Sequence, residues 1–177
     1  MALTRLGLNQ SINLASNVTG TLATGNGGTG ATSFSPGKVG QVINAQQGYF
    51  QTNSTSFTDT GLTASITPSA TSSKVLVVVS LSGCSSTDQA DTSLEARLLR
   101  DSSEIIVFET IGGYTASSSY TGFGATSCSY LDSPNSTSAL AFKVQISTAT
   151  SGNVNIGNWQ NGSDRAKSTI TLMEILA

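Results

Sequence analysis

The sequence predicts an all-β chain: an antiparallel jelly-roll β-sandwich over residues 37–177, preceded by an extended N-terminal arm over residues 1–36. Three observations carry that expectation. Apolar side chains recur at almost every second position through the first two dozen residues. A glycine run and Pro36-Gly37 then break the pattern, and beyond the break short β-forming runs alternate with Ser, Thr, Gly and Asp clusters. No segment sustains the 3.6-residue period of an amphipathic helix.

The arm comes first. Leu6, Leu8, Ile12, Leu14, Val18 and Leu22 hold even positions, while Gly7, Asn9, Ser11, Asn13, Ala15, Asn17, Thr19 and Thr21 fill the odd ones; Gln10, Ser16 and Gly20 interrupt the apolar set. Successive side chains of an extended chain point to opposite faces, so a period of two builds one apolar face and one polar face. At about 3.3 Å per residue the segment reaches roughly 55 Å, longer than an ordinary strand and unstable alone. Its apolar face needs copies of itself or another protein's surface, which makes those six side chains a candidate attachment set. Gly25, Gly27, Gly28 and Gly30 follow as a candidate hinge, because glycine admits positive φ and lets chains bend or cross closely.

Behind the break the expected strands are Val39 to Gln46, Leu62 to Thr67, Lys74 to Gly83, Leu94 to Asp101, Glu104 to Thr110, Tyr120 to Asp132, Ser138 to Ser147, Val154 to Trp159 and Ser168 to Leu176. Parity assigns their buried faces. Leu140, Phe142, Val144 and Ile146 alternate with Lys143 and Gln145; Leu94, Ala96 and Leu98 alternate with Glu95 and Arg97; Leu62, Ala64 and Ile66 alternate with Thr63 and Ser65. Val75 to Val79 is apolar on both faces. Such a strand is central in its sheet, or its outer face meets another subunit. Eight of these nine, those beyond Val39 to Gln46 in the junction region, suit two packed sheets wound as a jelly roll.

Composition limits the function. Charged residues are 10% of the 177, hydrophobic residues 37%, and the net charge is −2. That supports one core of ordinary size and few titrating groups. Arg5, Lys38 and Asp59 are the only charges before Lys74, so the first part of the chain is built to be covered and the rest to face water. The basic residues are scattered, which excludes nucleic acid as a partner, since phosphate neutralisation needs grouped Lys and Arg. Val75 to Val79 is the longest apolar run, well short of a membrane span, and Met1 to Asn17 lacks the apolar core of a secretory signal. Cys84 and Cys128 form one bridge or none, and free thiols packed as small hydrophobes are expected.

Gly25-Asn26-Gly27-Gly28-Thr29-Gly30 matches the dinucleotide fingerprint in its letters. The chemistry needs a following helix whose N-terminus holds the pyrophosphate, and Ala31-Thr32-Ser33-Phe34-Ser35-Pro36 does not make one. The chain has no histidine, and neither cysteine has a neighbouring base, which argues against a hydrolytic triad. Asp88 and Asp91 lack further local oxygen ligands for a metal. The expectation is therefore no catalytic residue, no cofactor and no metal. Trp159, flanked by Asn158 and Gln160, is a candidate sugar platform, as are Tyr114 and Tyr120, with Phe123, in a Ser/Gly-rich loop. The competing reading of Trp159 is a strand end that fills the core or lies between subunits.

Some phrases carry a family likeness. Leu14-Ala15-Ser16-Asn17-Val18-Thr19-Gly20-Thr21-Leu22 leading into Asn26-Gly27-Gly28-Thr29-Gly30-Ala31-Thr32-Ser33 resembles the glycine-rich segments of bacteriophage fibre proteins. The remainder resembles small β-sandwich modules of marine, cyanophage-like virion proteins. It does so in Asp59-Thr60-Gly61-Leu62-Thr63-Ala64-Ser65-Ile66-Thr67-Pro68, Lys74-Val75-Leu76-Val77, Tyr130-Leu131-Asp132-Ser133-Pro134 and Ser168-Thr169-Ile170-Thr171-Leu172-Met173-Glu174-Ile175. The resemblance implies a homotrimeric, non-enzymatic component of the phage virion surface with an N-terminal mount and a C-terminal jelly-roll knob. The expected role is a head fibre or capsid decoration (cement) protein, with copies of itself and phage capsid or tail proteins as partners. The alternatives are a tail-fibre tip or adaptor that binds host surface glycan, and a secreted lectin or adhesin module.

Overall fold

The computed structural model describes residues 38–87, 89–117, 119–157 and 166–176. Their regular structure is entirely strand: β1 (Val39–Gln47), β2 (Phe50–Thr52), β3 (Thr58–Ile66), β4 (Lys74–Thr87), β5 (Thr92–Arg100), β6 (Ser103–Thr115), β7 (Thr121–Asp132), β8 (Leu140–Thr148), β9 (Asn153–Ile156) and β10 (Ser168–Ile175). All the pairings between them are antiparallel.

The pairings are nested. β1 pairs β10, β3 pairs β8, β4 pairs β7 and β5 pairs β6, so the chain runs as one long hairpin folded over on itself. The remaining contacts close it into two sheets, one built from β1, β10, β4 and β7 with β9 and β2 attached, the other in the order β3-β8-β5-β6. This is the winding of a jelly-roll sandwich, and the all-β, antiparallel expectation is met. β4 is long enough to serve two partners on one edge: β10 runs beside Lys74 to Ser80 and β9 beside Ser85 to Thr87, while β7 follows the other edge. The handover falls at Gly83, whose φ of 61° sits at a register shift between β4 and β7.

The expected parity is observed. Leu62 and Ile66, Leu94 and Leu98, and Phe142, Val144 and Ile146 all point inward, meeting Val75, Val77, Val79 and Leu81 of β4 and Ile170 and Leu172 of β10 in one core. Each such fully buried side chain contributes on the order of 1.5–3 kcal/mol of transfer free energy, which is what selects this register over a one-residue slip. The far end of the sandwich is filled differently. Ser85, Ser86, Thr92, Ser93, Ser147, Thr148 and Asn155 are buried there. Most of them find local partners: Ser85 donates to Asn155 Oδ1 at 2.5 Å, Ser86 to the Gly113 carbonyl, Ser147 to Glu95 at 2.7 Å, and the Thr92 and Thr150 hydroxyls bond each other at 2.7 Å, while Thr148 Oγ1 and Asn155 Nδ2 are buried without a partner among the described residues.

That polar filling explains why β4 runs on to Thr87 where sequence predicts an end near Gly83. Cys84-Ser85-Ser86-Thr87 looks like loop sequence, yet all four side chains are buried. β2 is an unforeseen strand of three residues paired to β9. β9 itself stops at Ile156, short of the expected Trp159, because Gly157 turns away at φ 86° and a Cβ there would lie 2.6 Å from the Gly48 backbone. Cys84 and Cys128 are free thiols, opposite Gly124 and Val79 respectively on the β4–β7 ladder.

Candidate assembly interface

The two outer faces of the sandwich carry opposite chemistry. On the first sheet, register brings four apolar side chains from four different strands into one line: Val42 lies opposite Met173, Met173 opposite Leu76, and Leu76 opposite Leu131. Val42 and Leu131 are about half exposed, at 56% and 48% of their full accessible surface. Met173 and Leu76 are half-buried between them. The next line is Asn44, Thr171, Val78 and Ser129, and the one after it Gln46, Thr169, Ser80 and Ser127. Among these outward positions of β1, β10, β4 and β7, Lys74 at the margin carries the one charge.

On the second sheet the outer face carries a ladder of charges, beside the exposed apolar side chains Val107 (38%) and Ile111 (70%) of its edge strand β6. Glu104 of β6 accepts from Arg97 Nη1 of β5 at 2.8 Å. Arg97 Nε and Nη2 both donate to Gln145 Oε1 of β8, at 2.9 and 2.7 Å. Gln145 Nε2 donates to Asp59 Oδ1 of β3 at 2.6 Å, and Lys143 Nζ to Asp59 Oδ2 at 3.0 Å. The Arg97 guanidinium also lies 4.1 Å from the centre of the Phe57 ring. The hydrogen bond from Gln145, then that from Lys143, holds the Asp59 carboxyl below its usual range. A depression of about 110 Å³ beside this ladder is lined by Asp59, Gly61, Leu62, Thr63, Lys143 and Val144. Small-molecule pockets run to roughly 300 Å³ and above, so this one suits a few waters.

The candidate glycan residues divide. Tyr114, at the end of β6, is 54% exposed, and its hydroxyl donates to Asp91 Oδ1 at 2.6 Å. That hydrogen bond raises the phenol's pKa. Tyr120, just before β7, is 44% exposed. Phe123 is not a loop aromatic: it sits in β7, packs on the core, and lies where a Cβ on Gly112 or Gly113 would have to be. Trp159, the attachment set Leu6, Leu8, Ile12, Leu14, Val18 and Leu22, and the hinge Gly25, Gly27, Gly28 and Gly30 lie outside the described residues.

No protein-family model matches the sequence, and no curated protein does. Among solved structures the chain is similar to the infectious bursal disease virus VP2 subviral particle, at 16% identity and a TM-score of 0.38, over 99% of this chain and 42% of that one. The chain thus spans less than half the length of that neighbour, and a likeness so distant establishes neither fold family nor function. Among the described residues no helix is long and apolar enough to cross a membrane.

Of the apolar line, sequence exposes one part. Val75 to Val79 is apolar at both parities, and the structure divides it: Val75, Val77 and Val79 enter the core at 0% exposure, while Leu76 and Val78 face outward. Val42, Met173 and Leu131 escape notice in the sequence, because each adjoins an apolar neighbour that turns to the core (Ile43, Leu172 and Tyr130) and only the pairing register lines them up.

Proposed function

We propose that this chain is a non-enzymatic structural protein of a phage virion surface, a homotrimer serving as head fibre or capsid decoration. Residues 1–36 attach it to the particle, and the sandwich projects as a knob. The fibre-like and module-like phrases of the sequence supply the setting. The observation that carries the structural role is the contrast between the two outer faces of the sandwich, one a solvated ladder of charges and the other apolar and hydroxyl-lined across four strands. Proteins expose contiguous apolar surface where something is to cover it, and a surface of this breadth suits assembly.

Deletion of Met1 to Ser35 tests the attachment role. The truncated protein is expected to stay folded and soluble and to be missing from purified particles; normal incorporation overturns the reading. Copy number separates the two particle sites. Hundreds of copies per particle fit a capsid decoration, and a few tens or fewer fit a tail fibre. Exposed Tyr114 and Tyr120 favour glycan binding as the second reading. If their joint replacement by Ala abolishes host adsorption and leaves particles intact, the tail reading replaces decoration.

A further inference from the structure

We infer that Gln41 and Glu174 form a mechanical clamp, which keeps β1 on the sandwich when the protein is pulled through the chain ahead of it. This rests on the attachment role proposed above: tension on an attached arm enters the fold along the backbone at Lys38 and meets β1 first. β1 is poorly equipped to resist it by burial. Among the described residues it is an edge strand, laddered to β10 alone. None of its nine residues is buried, whereas four of the eight in β10 and four of the nine in β3 are. Ile43 and Ala45 reach the core only in part. The ladder is also broken where tension arrives, since the register shifts between Val39 and Val42 and leaves Gly40 and Gln41 as a bulge.

Side-chain hydrogen bonds close that gap. Gln41 Nε2 donates both to Glu174 Oε2 of β10 and to the Thr67 carbonyl just beyond β3, each at 2.8 Å, so one amide ties the bulge to both sheets. Gly40 makes the room, because a Cβ there would lie 2.9 Å from Glu174 Oε2. The other carboxylate oxygen is held by the backbone N–H and hydroxyl of Ser69, which stops Glu174 from swinging out with β1. Glu174 is 1% exposed, so water is kept from replacing the bonds as they stretch. Behind the clamp, Asn44 Nδ2 donates to Thr171 Oγ1 at 2.9 Å. Hydrogen bonds contribute little net free energy to folding, yet they weaken steeply with distance and angle. A group of them at the loaded end therefore governs how long β1 holds under force more than it governs the stability of the whole fold.

Optical tweezers on the full-length chain, tagged at its two ends, test this. Val39 lies opposite Ile175, so tension between the ends opens the β1–β10 pair from the clamp inward. At constant force the lifetime before the first opening step is expected to fall about tenfold in Gln41→Ala and in Glu174→Ala, the factor that loss of a hydrogen bond to a charged group carries. The double variant is expected to fall no further than the weaker single one, since both remove the same bond. Arg100→Ala, whose ion pair lies away from β1, keeps the wild-type lifetime. If Gln41→Ala opens as slowly as wild type, or Arg100→Ala as fast as Gln41→Ala, there is no clamp. Should Glu174→Ala fail to fold, half-buried Gln41 decides alone. The attachment reading fails separately: a tenfold drop in Gln41→Ala, together with normal incorporation of the protein lacking Met1 to Ser35, leaves the clamp standing and removes the attachment role.

Discussion

The Glu174 carboxylate accepts hydrogen bonds from both the backbone N–H and the hydroxyl of Ser69, each at 2.6 Å. Gln41 Nε2 adds a third at 2.8 Å, so this one side chain of β10 ties the segment ahead of β4 to β1. A buried carboxylate would otherwise be costly, and three donors are what hold it charged.

Those donors, with that of the Ser69 hydroxyl foremost, lower the Glu174 pKa from 4.5 to about 2. The unfolded chain therefore binds a proton that the folded one does not between those values. The contribution of Glu174 to stability is full above the unfolded value and is lost as pH falls through it toward the folded one. The thermal midpoint of wild type is expected to drop more steeply between roughly pH 5 and pH 2 than that of Glu174→Gln, which has no such proton to take up. Parallel curves for the two proteins would show that the network does not hold in solution.

Arg100 of β5 and Asp132 of β7 form an ion pair of 2.6 Å that links the two sheets. The Asp132 side chain is 10% exposed, against 55% for Asp59 in the Lys143 pair. Removing Arg100 strands a nearly buried carboxylate, whereas removing Lys143 leaves Asp59 in water. Arg100→Ala is expected to cost about 2 kcal/mol in urea unfolding, and Lys143→Ala less than about 1 kcal/mol. Equal losses would mean that water reaches Asp132 as freely as Asp59.

Thiol chemistry reports on the core separately. Burial pushes Cys84 up to about 12 and Cys128 up to about 11. A thiolate-selective disulfide reagent at pH 8 is expected to modify the native protein slowly at both positions and the urea-unfolded protein at once, releasing two equivalents. Cys84 is the slower of the two, since its sulfur lies deeper, at 1% exposure. Rapid native labelling of Cys84 would place it outside the core.

Much of this architecture is legible in the sequence because burial on one face writes itself as parity. Leu94, Ala96 and Leu98 against Glu95 and Arg97 announce both the strand and the direction of its core, and the structure agrees. What parity does not write is pairing order or polar filling. β2 is too short at three residues to show a period, and the buried Ser85, Ser86 and Thr87 read as loop because their partners come from distant strands. The candidate interface is half legible for the same reason: Leu76 and Val78 betray themselves within β4, whereas Val42, Met173 and Leu131 become a line only through register.

Neighbouring residues of β4 allow the core and the interface to be weighed apart. Val77 is 0% exposed and opposite Leu172, inside the sandwich, while Leu76 faces outward between Met173 and Leu131. Val77→Ala leaves a cavity in the fold of each chain, and its loss of roughly 1.5–3 kcal/mol is expected at every protein concentration. Leu76→Ala trims its half-buried packing against Met173 and Leu131 within the chain and, in the proposed assembly, also removes contact area where copies meet. Its loss is expected to grow as the protein is made more concentrated, because association adds to the stability of the assembled form by mass action and the variant forgoes that gain. Denaturation midpoints measured across a hundredfold range of concentration separate the two behaviours. If the effect of Leu76→Ala does not change over that range, Leu76 acts within the single chain and the face is ordinary solvent-exposed surface.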